Sequence, residues 1–439
     1  MRVLHVTSTF PKADGDPTGP FLADLVAAER VAGLDVRVVA PHAPGLAVRG
    51  LVAGVGVRRF RYGPDRMEVL AYRGGLLAAA RRPGGAAAVP AYLAAMVATT
   101  VGEAWSWQPD VIHAHWWFPA GVAAAVASRL TGVPSVVTLH GSDVALSARP
   151  GARPSAGAVL RAAAGVFAVS EALADEVAAV TGLPRSAIAV APMPVVVADL
   201  SDPDSPGARV PVVAADLSGA GRPGASAPVV ADEPPPGASG GPSGRVKVVT
   251  VGRLVREKGL DVLIDALAGM NGVAVDCEVI GDGPERGALE ERARRAGLAV
   301  AFAGALPRAE LYERLRGAAA LVVPSRREGL GLVAVEAVLL GVPVIASHTG
   351  GLPGALGDPD APVPPPGGTQ AVPGGLLVRA GDVAALTAAL GLAGGLTPPA
   401  GAALSAAERH RPGVVAARHE ELYAAAIERS RRRGRGGPR

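Results

Sequence analysis

Short apolar runs and helix-forming segments alternate along the chain, and the alternation occurs twice. In the first half, six apolar runs between residues 2–7 and 187–191 predict strands, with predicted helices between them. The same rhythm restarts at 246–251 and predicts five more strands, ending at 342–346. Strands that alternate with helices are typical of parallel sheets covered on both faces. The sequence therefore predicts an α/β protein with two doubly wound, Rossmann-like domains.

A compositionally distinct segment, 199–244, separates the two predicted domains. It contains no Phe, Tyr or Trp and is crowded with Pro, Gly, Ser and Ala. Such a segment cannot bury enough apolar surface to offset its ordering entropy, so we expect a disordered insertion in the linker. A second Pro/Gly-rich insertion is predicted at 357–375. The resulting division is a first domain (1–198), the insertion (199–244), a second domain (245–410), a C-terminal helix (411–430) that could cross back to the first domain, and a basic disordered tail (431–439).

Charge and cysteine content exclude several classes of protein. The formal net charge is +4, and part of it belongs to the C-terminal tail, which is not the pattern of a nucleic-acid binder. Cys277 is the only cysteine and lies in an apolar run, which excludes a disulfide framework and a thiolate metal site. The first predicted strand leaves no room for a signal peptide, so we expect a cytoplasmic location. The uncharged run 84–102 is expected to lie against its domain or at the inner face of the membrane, rather than to cross it.

Two carboxylates, Glu328 and Glu336, stand eight residues apart in the segment LVVPSRREGLGLVAVEAVLLGVPVIAS. Glu328 lies in a turn before a predicted helix, and Glu336 lies inside that helix among apolar side chains. A fully helical path would separate them by about 12 Å. The unpaired N–H groups of residues 329–331 lie between them at the positive end of the helix. This order of acceptor, anion site and acceptor matches the sugar hydroxyls, diphosphate and ribose hydroxyls of a nucleotide sugar. The alternative is an ordinary helix start with a solvated Glu336, which its apolar neighbours disfavour.

Polar residues also follow other predicted strands, where open α/β sheets bind their ligands. Arg253 and Lys258 flank a turn after the strand 246–251 and could neutralise a leaving diphosphate. The alternative for this pair is a surface salt bridge and an ordinary helix start. His140 ends a strand, and Asp143 follows three residues later. A structural hydrogen bond is the alternative for His140.

Neither a metal nor a cofactor is expected from the sequence. We expect His113 and His115 to face opposite sides of their strand and therefore not to converge on a metal. The D-x-D triplets at 14–16 and 358–360 lie in Pro/Gly loops without an evident third ligand. The stretch GDGPERG at 281–287 resembles a dinucleotide fingerprint, but its third glycine is one residue late. It therefore predicts a tight strand-to-helix turn and disfavours a nicotinamide oxidoreductase.

Several motifs together resemble glycosyltransferase family 4, the retaining group 1 transferases of GT-B fold. They are PSRREGLGLVAVEAVLLGVPVIAS, VGRLVREKG, VIGDGPE, DVIHAHWWFPAG and VTLHGSD. The resemblance covers nearly all of the chain except the two insertions and the tail. It implies two Rossmann-like domains facing across a cleft, with the acceptor on the N-terminal domain and the nucleotide sugar on the C-terminal domain. It also implies sugar transfer with retention, without a metal, and with the leaving phosphate taking the acceptor proton.

The resemblance also implies roles for individual residues. Glu336 would hold the donor ribose, and Glu328 with the amides of residues 329–331 would meet the donor sugar and the phosphate. The implied catalytic residues are His140, Arg253, Lys258 and Glu328. The implied donor-binding residues are Gly252, Arg253, Lys258, Glu328, Gly329, Leu330, Gly331 and Glu336. The residues assigned to the acceptor or to a closing loop are Gly15, Gly19, His115 and Asp143.

The leading hypothesis is a hexosyltransferase that uses a nucleotide-diphosphate sugar and a hydroxyl acceptor, with a lipid-linked acceptor as one option. Cell-envelope polysaccharide, glycolipid or related glycoconjugate synthesis is the expected setting. One alternative is a non-hydrolysing nucleotide-sugar 2-epimerase of similar shape, which would release its product without an acceptor. Another is a two-lobed, non-catalytic sugar-binding protein, which the cationic pair and the expected lack of a signal peptide disfavour.

Overall fold

The computed structural model describes residues 1–16, 18–72, 76–82, 84–149, 151–197, 245–270 and 275–435. The predicted insertion at 199–244 and the last four residues of the predicted tail lie outside the described residues. The expectations about them therefore stay predictions.

The first sheet has eight strands, and its central strands are buried because their apolar runs are covered on both faces. The strand order is β3-β4-β2-β1-β5-β6-β7-β8, and every pair is parallel except β3 with β4. The strands are β1 (Arg2–Val6), β2 (Asp35–Pro41), β3 (Arg49–Val52), β4 (Val55–Phe60), β5 (Val111–His115), β6 (Ser135–Leu139), β7 (Gly165–Ala168) and β8 (Ile188–Val190). The hairpin of β3 and β4 was not predicted. Its two-residue turn uses positive φ at Ala53 and Gly54, and the glycines around it interrupt the apolar pattern.

Seven helices connect or cover these strands within the described part of the first domain. They are α1 (Pro20–Val31), α2 (Leu76–Ala80), α3 (Gly85–Trp107), α4 (Val122–Thr131), α5 (Ser142–Ser147), α6 (Ala152–Ala162) and α7 (Glu171–Thr181). By length and composition α3 could cross a membrane, and 33% of its most apolar window is buried. It packs against α4 and the neighbouring sheet, with Tyr92 and Met96 fully buried. This packing fits a helix that lies against its own domain.

The second sheet has seven strands in the order β11-β10-β9-β12-β13-β15-β14. They are β9 (Val246–Val251), β10 (Val275–Ile280), β11 (Val300–Gly304), β12 (Ala320–Val323), β13 (Val344–His348), β14 (Thr369–Val372) and β15 (Gly375–Arg379). The prediction of two doubly wound, Rossmann-like domains is confirmed. The predicted insertion at 357–375 ends in the strand β14, which pairs with β15 in an antiparallel hairpin that was not predicted. The strand β14 has only four residues and begins Thr-Gln, so its pattern was too short and too polar to recognise.

The helices of the second domain cover both faces of this sheet. They are α8 (Leu260–Ala268), α9 (Arg286–Arg295), α10 (Arg308–Arg316), α11 (Leu332–Leu339), α12 (Leu352–Ala355), α13 (Val383–Gly391) and α14 (Ala402–Glu408). Residues 281–285 form the turn between β10 and α9, as the late third glycine predicts.

A long C-terminal helix, α15 (Pro412–Arg435), packs against α1 of the first domain. Tyr423 on this helix is fully buried, and its hydroxyl donates to Glu29 Oε1 at 2.6 Å. The prediction of a disordered tail from 431 is wrong for residues 431–435, which continue the helix. Arginine is a good helix former, and Arg432 pairs with Glu428 one turn earlier, which supports helix in this charged stretch.

Candidate functional site

A cavity of about 280 Å³ lies between the two domains, beyond the carboxyl ends of strands from both sheets. Most of the predicted site residues line it: His140 from the first domain, and Gly252, Arg253, Lys258, Glu328, Gly329, Leu330 and Gly331 from the second. Phe21, Val169 and Met193 complete the first-domain wall. The sites predicted separately on the two halves of the sequence therefore meet in one place. Five predicted residues lie outside the lining: Glu336, Gly15, Gly19, His115 and Asp143.

Lys258 and Glu328 form the charged centre of the cavity. Lys258 follows β9 and Glu328 follows β12, and these two strands are neighbours in the sheet. Lys258 Nζ donates to Glu328 Oε2 at 2.6 Å, and Ser325 Oγ donates to the same oxygen at 3.2 Å. An ammonium group has three N–H donors, so Lys258 can keep this bond and still bind an anionic oxygen. The pair is therefore a preorganised cation beside a hydrogen-bond acceptor.

Glycines bring the start of α11 close to the first domain. A Cβ at Gly329 would lie 2.4 Å from the carbonyl oxygen of His140, so only glycine fits this contact. Ser170 Oγ donates to the carbonyl oxygen of Gly329 at 2.7 Å, which fixes the loop across the domain boundary. Gly331 has φ 83° and immediately precedes the helix. The N-terminus of α11, with its unpaired amides and positive dipole end, therefore faces the cavity.

Glu336 lies in the second turn of α11 and is largely buried, with 14% of its side chain exposed. The single hydroxyl hydrogen of Tyr312 is shared between Val196 O at 2.8 Å and Glu336 Oε1 at 3.3 Å. Arg308 Nη2 lies 3.8 Å from the same carboxylate oxygen. Arg308 also donates two hydrogen bonds to Asp24 on α1, at 2.7 and 3.1 Å, and so links the domains. Burial raises the pKa of Glu336 to about 7, although the charge of Arg308 and the hydrogen bond from Tyr312 oppose the shift. Its ionisation is thus poised near neutral pH.

A chain of buried side chains runs from His140 into the first domain. Nε2 of His140 lies 3.1 Å from Nδ1 of His115, and Nε2 of His115 lies 3.0 Å from Nδ1 of His5. Nε2 of His5 lies 2.7 Å from Oε2 of Glu29, which is fully buried. We call these four residues the histidine chain. His115 is 1% exposed and contacts His140 from within the domain, so it does not reach the cavity surface, and its assignment to the acceptor or to a closing loop stays a prediction.

The prediction that His113 and His115 face opposite ways is also wrong. Their ring centroids are 4.2 Å apart, because residues two apart on a strand point to the same face of the sheet. With His5 they form a group of nitrogens close enough together to hold a metal ion. Both ring nitrogens of His113 already have partners, however, namely Tyr423 Oη and Thr138 Oγ1, each at 2.7 Å. The ring nitrogens of His5 and His115 have partners too, so the group fits a hydrogen-bond network better than a metal site.

Sequence reasoning missed His5 and Glu29 altogether. The available signal was a polar residue in each of two apolar strands, since His5 interrupts β1 and His113 and His115 interrupt β5. These strands pair in parallel with His5 opposite His113. An acidic residue on the buried face of α1 was the second signal. Neither pattern shows by itself that the side chains join.

Asp143 supports the turn that carries His140. Its Oδ1 accepts hydrogen bonds from the backbone N–H groups of His140, Gly141 and Val144, at 3.0–3.1 Å. Burial raises the pKa of Asp143 to about 6, and these backbone hydrogen bonds oppose the shift. Asp143 is 3% exposed and orients the His140 backbone, and its assignment to the acceptor or to a closing loop stays a prediction.

The glycines of the first loop shape its backbone. Gly15 and Gly19 have positive φ, and Gly19 immediately precedes α1. Asp16 accepts hydrogen bonds from the backbone N–H groups of Thr18 and Lys12. Asp14 accepts one from the backbone N–H of Ala53 at 2.7 Å. The carboxylates of this D-x-D triplet therefore stabilise the loop, which places Phe21 at the cavity.

Both halves of the chain match known glycosyltransferase domains. Residues 236–389 match the family model of glycosyl transferases group 1, and residues 18–194 match that of a glycosyl transferase 4-like domain. The chain is 33% identical over 350 residues to the 2-deoxystreptamine N-acetyl-D-glucosaminyltransferase of Streptomyces fradiae, covering 74% of this chain and 70% of that protein. It is 27% identical over 368 residues to a putative teichuronic acid biosynthesis glycosyltransferase of Bacillus subtilis (strain 168), covering 81% and 83%.

Solved structures of similar fold are also known. HepE of Anabaena in complex with UDP-glucose aligns with a TM-score of 0.64 at 19% identity, covering 97% of this chain and 100% of that chain. The α,α-trehalose 6-phosphate synthase of Burkholderia multivorans aligns with a TM-score of 0.64 at 17% identity, covering 100% and 99%. At these identities the likeness shows the fold alone. With both domains matched and the cavity between them, the chain belongs to the group 1 glycosyl transferases and has the GT-B fold.

Proposed function

We propose that the chain is a metal-independent, retaining hexosyltransferase that uses a nucleotide-diphosphate sugar and a hydroxyl acceptor. The observation that carries this proposal is the convergence of His140, Arg253, Lys258, Glu328 and the N-terminus of α11 on one interdomain cavity. The cavity combines cations, helix-end amides and a carboxylate. An activated sugar diphosphate requires these three kinds of contact together.

The diphosphate binds to Arg253, Lys258 and the amides of residues 329–331. Both side chains and this loop line the cavity, and the helix end adds positive potential. Charge-assisted hydrogen bonds of this kind are about twice as strong as neutral ones. They strengthen further as negative charge builds up on the leaving phosphate. Two fixed cations thus supply the neutralisation that a metal would otherwise give.

The ribose and the transferred sugar bind on opposite sides of this anion site. Glu336 lies one turn into α11 and accepts from the ribose hydroxyls, with its charge controlled by Tyr312 and Arg308. Glu328 accepts from the sugar hydroxyls, since Lys258 holds its carboxylate in place. His140, which belongs to the first domain, lines the part of the cavity that holds the transferred sugar. The HepE complex with UDP-glucose supports a donor of this class.

Retention follows from same-face attack, in which the leaving phosphate oxygen takes the proton of the acceptor hydroxyl. The C–O bond to the phosphate breaks as the bond to the acceptor oxygen forms on the same face of the ring. Glu328 is the carboxylate that lines the described cavity, and its Oε2 is occupied by Lys258 and Ser325. A carboxylate held in this way suits substrate binding better than nucleophilic attack.

We place the acceptor on the first domain and assign it to a polysaccharide or glycolipid of the cell envelope, made at the cytoplasmic side of the membrane. The name of the Bacillus relative, which refers to teichuronic acid biosynthesis, supports a polymer acceptor. The name of the Streptomyces relative supports a second candidate, a small aminocyclitol. Both acceptors offer hydroxyl groups, so the same donor chemistry serves either of them.

The experiment is a panel of nucleotide sugars incubated with the purified protein, with and without polymeric, lipid-linked and aminocyclitol acceptors. Release of nucleoside diphosphate that depends on the acceptor, insensitivity to a chelator, and a product with the donor's anomeric configuration are the expected results. Inversion at the anomeric carbon would refute retention, and loss of activity with the chelator would refute metal independence. Isomerised donor without an acceptor would indicate a 2-epimerase, and binding without turnover would indicate a sugar-binding protein.

A further inference from the structure

The histidine chain joins the cavity to a buried carboxylate. Its rings are within hydrogen-bond distance in a single path, His140 to His115 to His5 to Glu29, with links of 3.1, 3.0 and 2.7 Å. In such a path each ring nitrogen is either a donor or an acceptor, and one assignment fixes all the others. The protonation of the Glu29–His5 pair therefore determines which nitrogen of His140 carries hydrogen.

The buried environment of Glu29 determines that assignment. Glu29 and His5 are 0% and 1% exposed, and a buried carboxylate is costly unless a positive group or a proton compensates its charge. Tyr423 donates to Glu29 but brings no charge, and burial lowers the pKa of the nearby His419 to about 4. Burial acts to raise the pKa of Glu29, but the charge and the hydrogen bond of His5 lower it, so the carboxylate is compensated within the pair by the one proton between Oε2 and Nε2, 2.7 Å apart. Whether that proton is on Glu29 or on Nε2 of His5, His5 carries a hydrogen on Nδ1 and donates it to Nε2 of His115.

Each following ring then has a single possible arrangement. Burial lowers the pKa of His115 well below its usual value and that of His140 to about 3, so both rings are neutral at pH 7 with one N–H each. His115 accepts at Nε2 and donates from Nδ1, and His140 accepts at Nε2. The hydrogen of His140 is left on Nδ1. Within the part of the chain that the structure describes, Nδ1 of His140 has no hydrogen-bond partner, while the ring itself lines the cavity.

We propose that Glu29, His5 and His115 are positioning residues that hold His140 as the Nδ1–H tautomer, so that His140 presents a hydrogen-bond donor to the cavity. The group it recognises is consequently an oxygen that accepts, in the sugar or the phosphate of the donor. This inference rests on the proposed function for the role of His140 in transfer. The tautomer itself can be measured without any substrate.

The rings around His140 hold its orientation but do not select the tautomer. Trp116 and Phe21 pack against it with ring centroids at 4.6 and 5.4 Å. Trp116 directs its own N–H to Ser142 Oγ at 3.2 Å, away from the imidazole nitrogens. The hydrogen-bond path through His115 is thus the contact in the described structure that distinguishes Nδ1 from Nε2.

The test uses the full chain labelled with ¹⁵N-histidine, and reads the protonated nitrogen of each ring from long-range ¹H–¹⁵N spectra. The His140 signals are assigned by their loss in His140→Gln. Wild-type protein at pH 7 is expected to show His140 neutral with hydrogen on Nδ1. In His115→Phe, which keeps a planar buried ring but breaks the path, His140 is expected to become a mixture of tautomers, with kcat lower by about tenfold or more.

The matched control is His113→Phe. It lies on the same strand, is equally buried and loses two hydrogen bonds, but it is outside the path to His140. It is expected to keep the His140 tautomer and a kcat within about twofold of wild type.

An Nε2–H tautomer or a charged His140 ring in the wild-type spectrum overturns the inference, even where His115→Phe does not fold. So does an unchanged His140 spectrum in a folded His115→Phe. Full activity of His140→Ala with the expected wild-type tautomer would instead remove the proposed role of His140 in transfer, so the two failures are distinguishable.

Discussion

Glu336→Ala tests the assignment of the ribose contact, and the structure indicates that its effect should be confined to donor binding. Without the carboxylate, Arg308 keeps its two hydrogen bonds to Asp24, and the Tyr312 hydroxyl keeps its bond to the carbonyl of Val196 at 2.8 Å. No donor among these partners is left unpaired, so we expect little change in the free energy of unfolding. Loss of hydrogen bonds from the ribose to a charged group costs about 1.5–3 kcal/mol, or about ten- to 150-fold in donor affinity.

The measurement is the Kd of the nucleotide-diphosphate sugar by titration calorimetry, with kcat/KM on the same preparation and thermal unfolding as a check of the fold. Glu310→Ala is the matched control, because Glu310 lies on neighbouring α10 and pairs with Arg314 at 3.1 Å on the exposed surface. Its donor affinity should equal that of wild type. Donor affinity within twofold of wild type in a folded Glu336→Ala would show that Glu336 does not hold the ribose.

Three further predictions concern the charges of the site and the interdomain segment. Lys258→Met should lower kcat by about 100-fold, since it removes a cation that stabilises the leaving phosphate. Lys247→Met, which removes a half-exposed lysine paired with Glu278, should leave kcat unchanged. Equal kcat values for the two variants would contradict the assignment of Lys258 to the phosphate. Burial raises the pKa of Glu336 to about 7, so acidification protonates its carboxylate and removes a hydrogen-bond acceptor. The KM for the nucleotide sugar should therefore rise as the pH falls from 8 to 6. Glu336→Gln should show a constant KM over this range, and a parallel rise in that variant would assign the titration to another group. Deletion of residues 201–243 should leave activity and thermal stability largely unchanged, and loss of folding would show that the segment is structural.

The local motifs were sufficient to predict the second-domain side of the cavity. Arg253 and Lys258 follow β9 and Glu328 follows β12, and the carboxyl ends of these two parallel neighbouring strands share an edge of the sheet. The sequence order of strands and turns therefore brings these side chains together without knowledge of side-chain packing. Glu336 was singled out for a different reason, since its apolar neighbours disfavoured an ordinary solvated position, and its side chain is 14% exposed.

The elements that the sequence did not predict were missed for physical reasons. Each of the two hairpins that were not predicted contains one strand of only four residues, β3 or β14, which is too short to give a clear period of two. The end of α15 carries a run of arginines that resembles a solvated tail, although packing of the preceding turns on α1 extends the helix.

By itself, the sequence determined the two-domain α/β architecture and most of the polar groups that line the cavity, because periodicity and turn chemistry act over short distances along the chain. The tertiary structure alone decided that His5 meets His115, 110 residues away, and Glu29, and that Arg308 meets Asp24, 284 residues away. Such contacts depend on how helices pack over sheets and how the two domains face each other. Burial then sets the charge of each group, so the protonation of the site is a property of the fold.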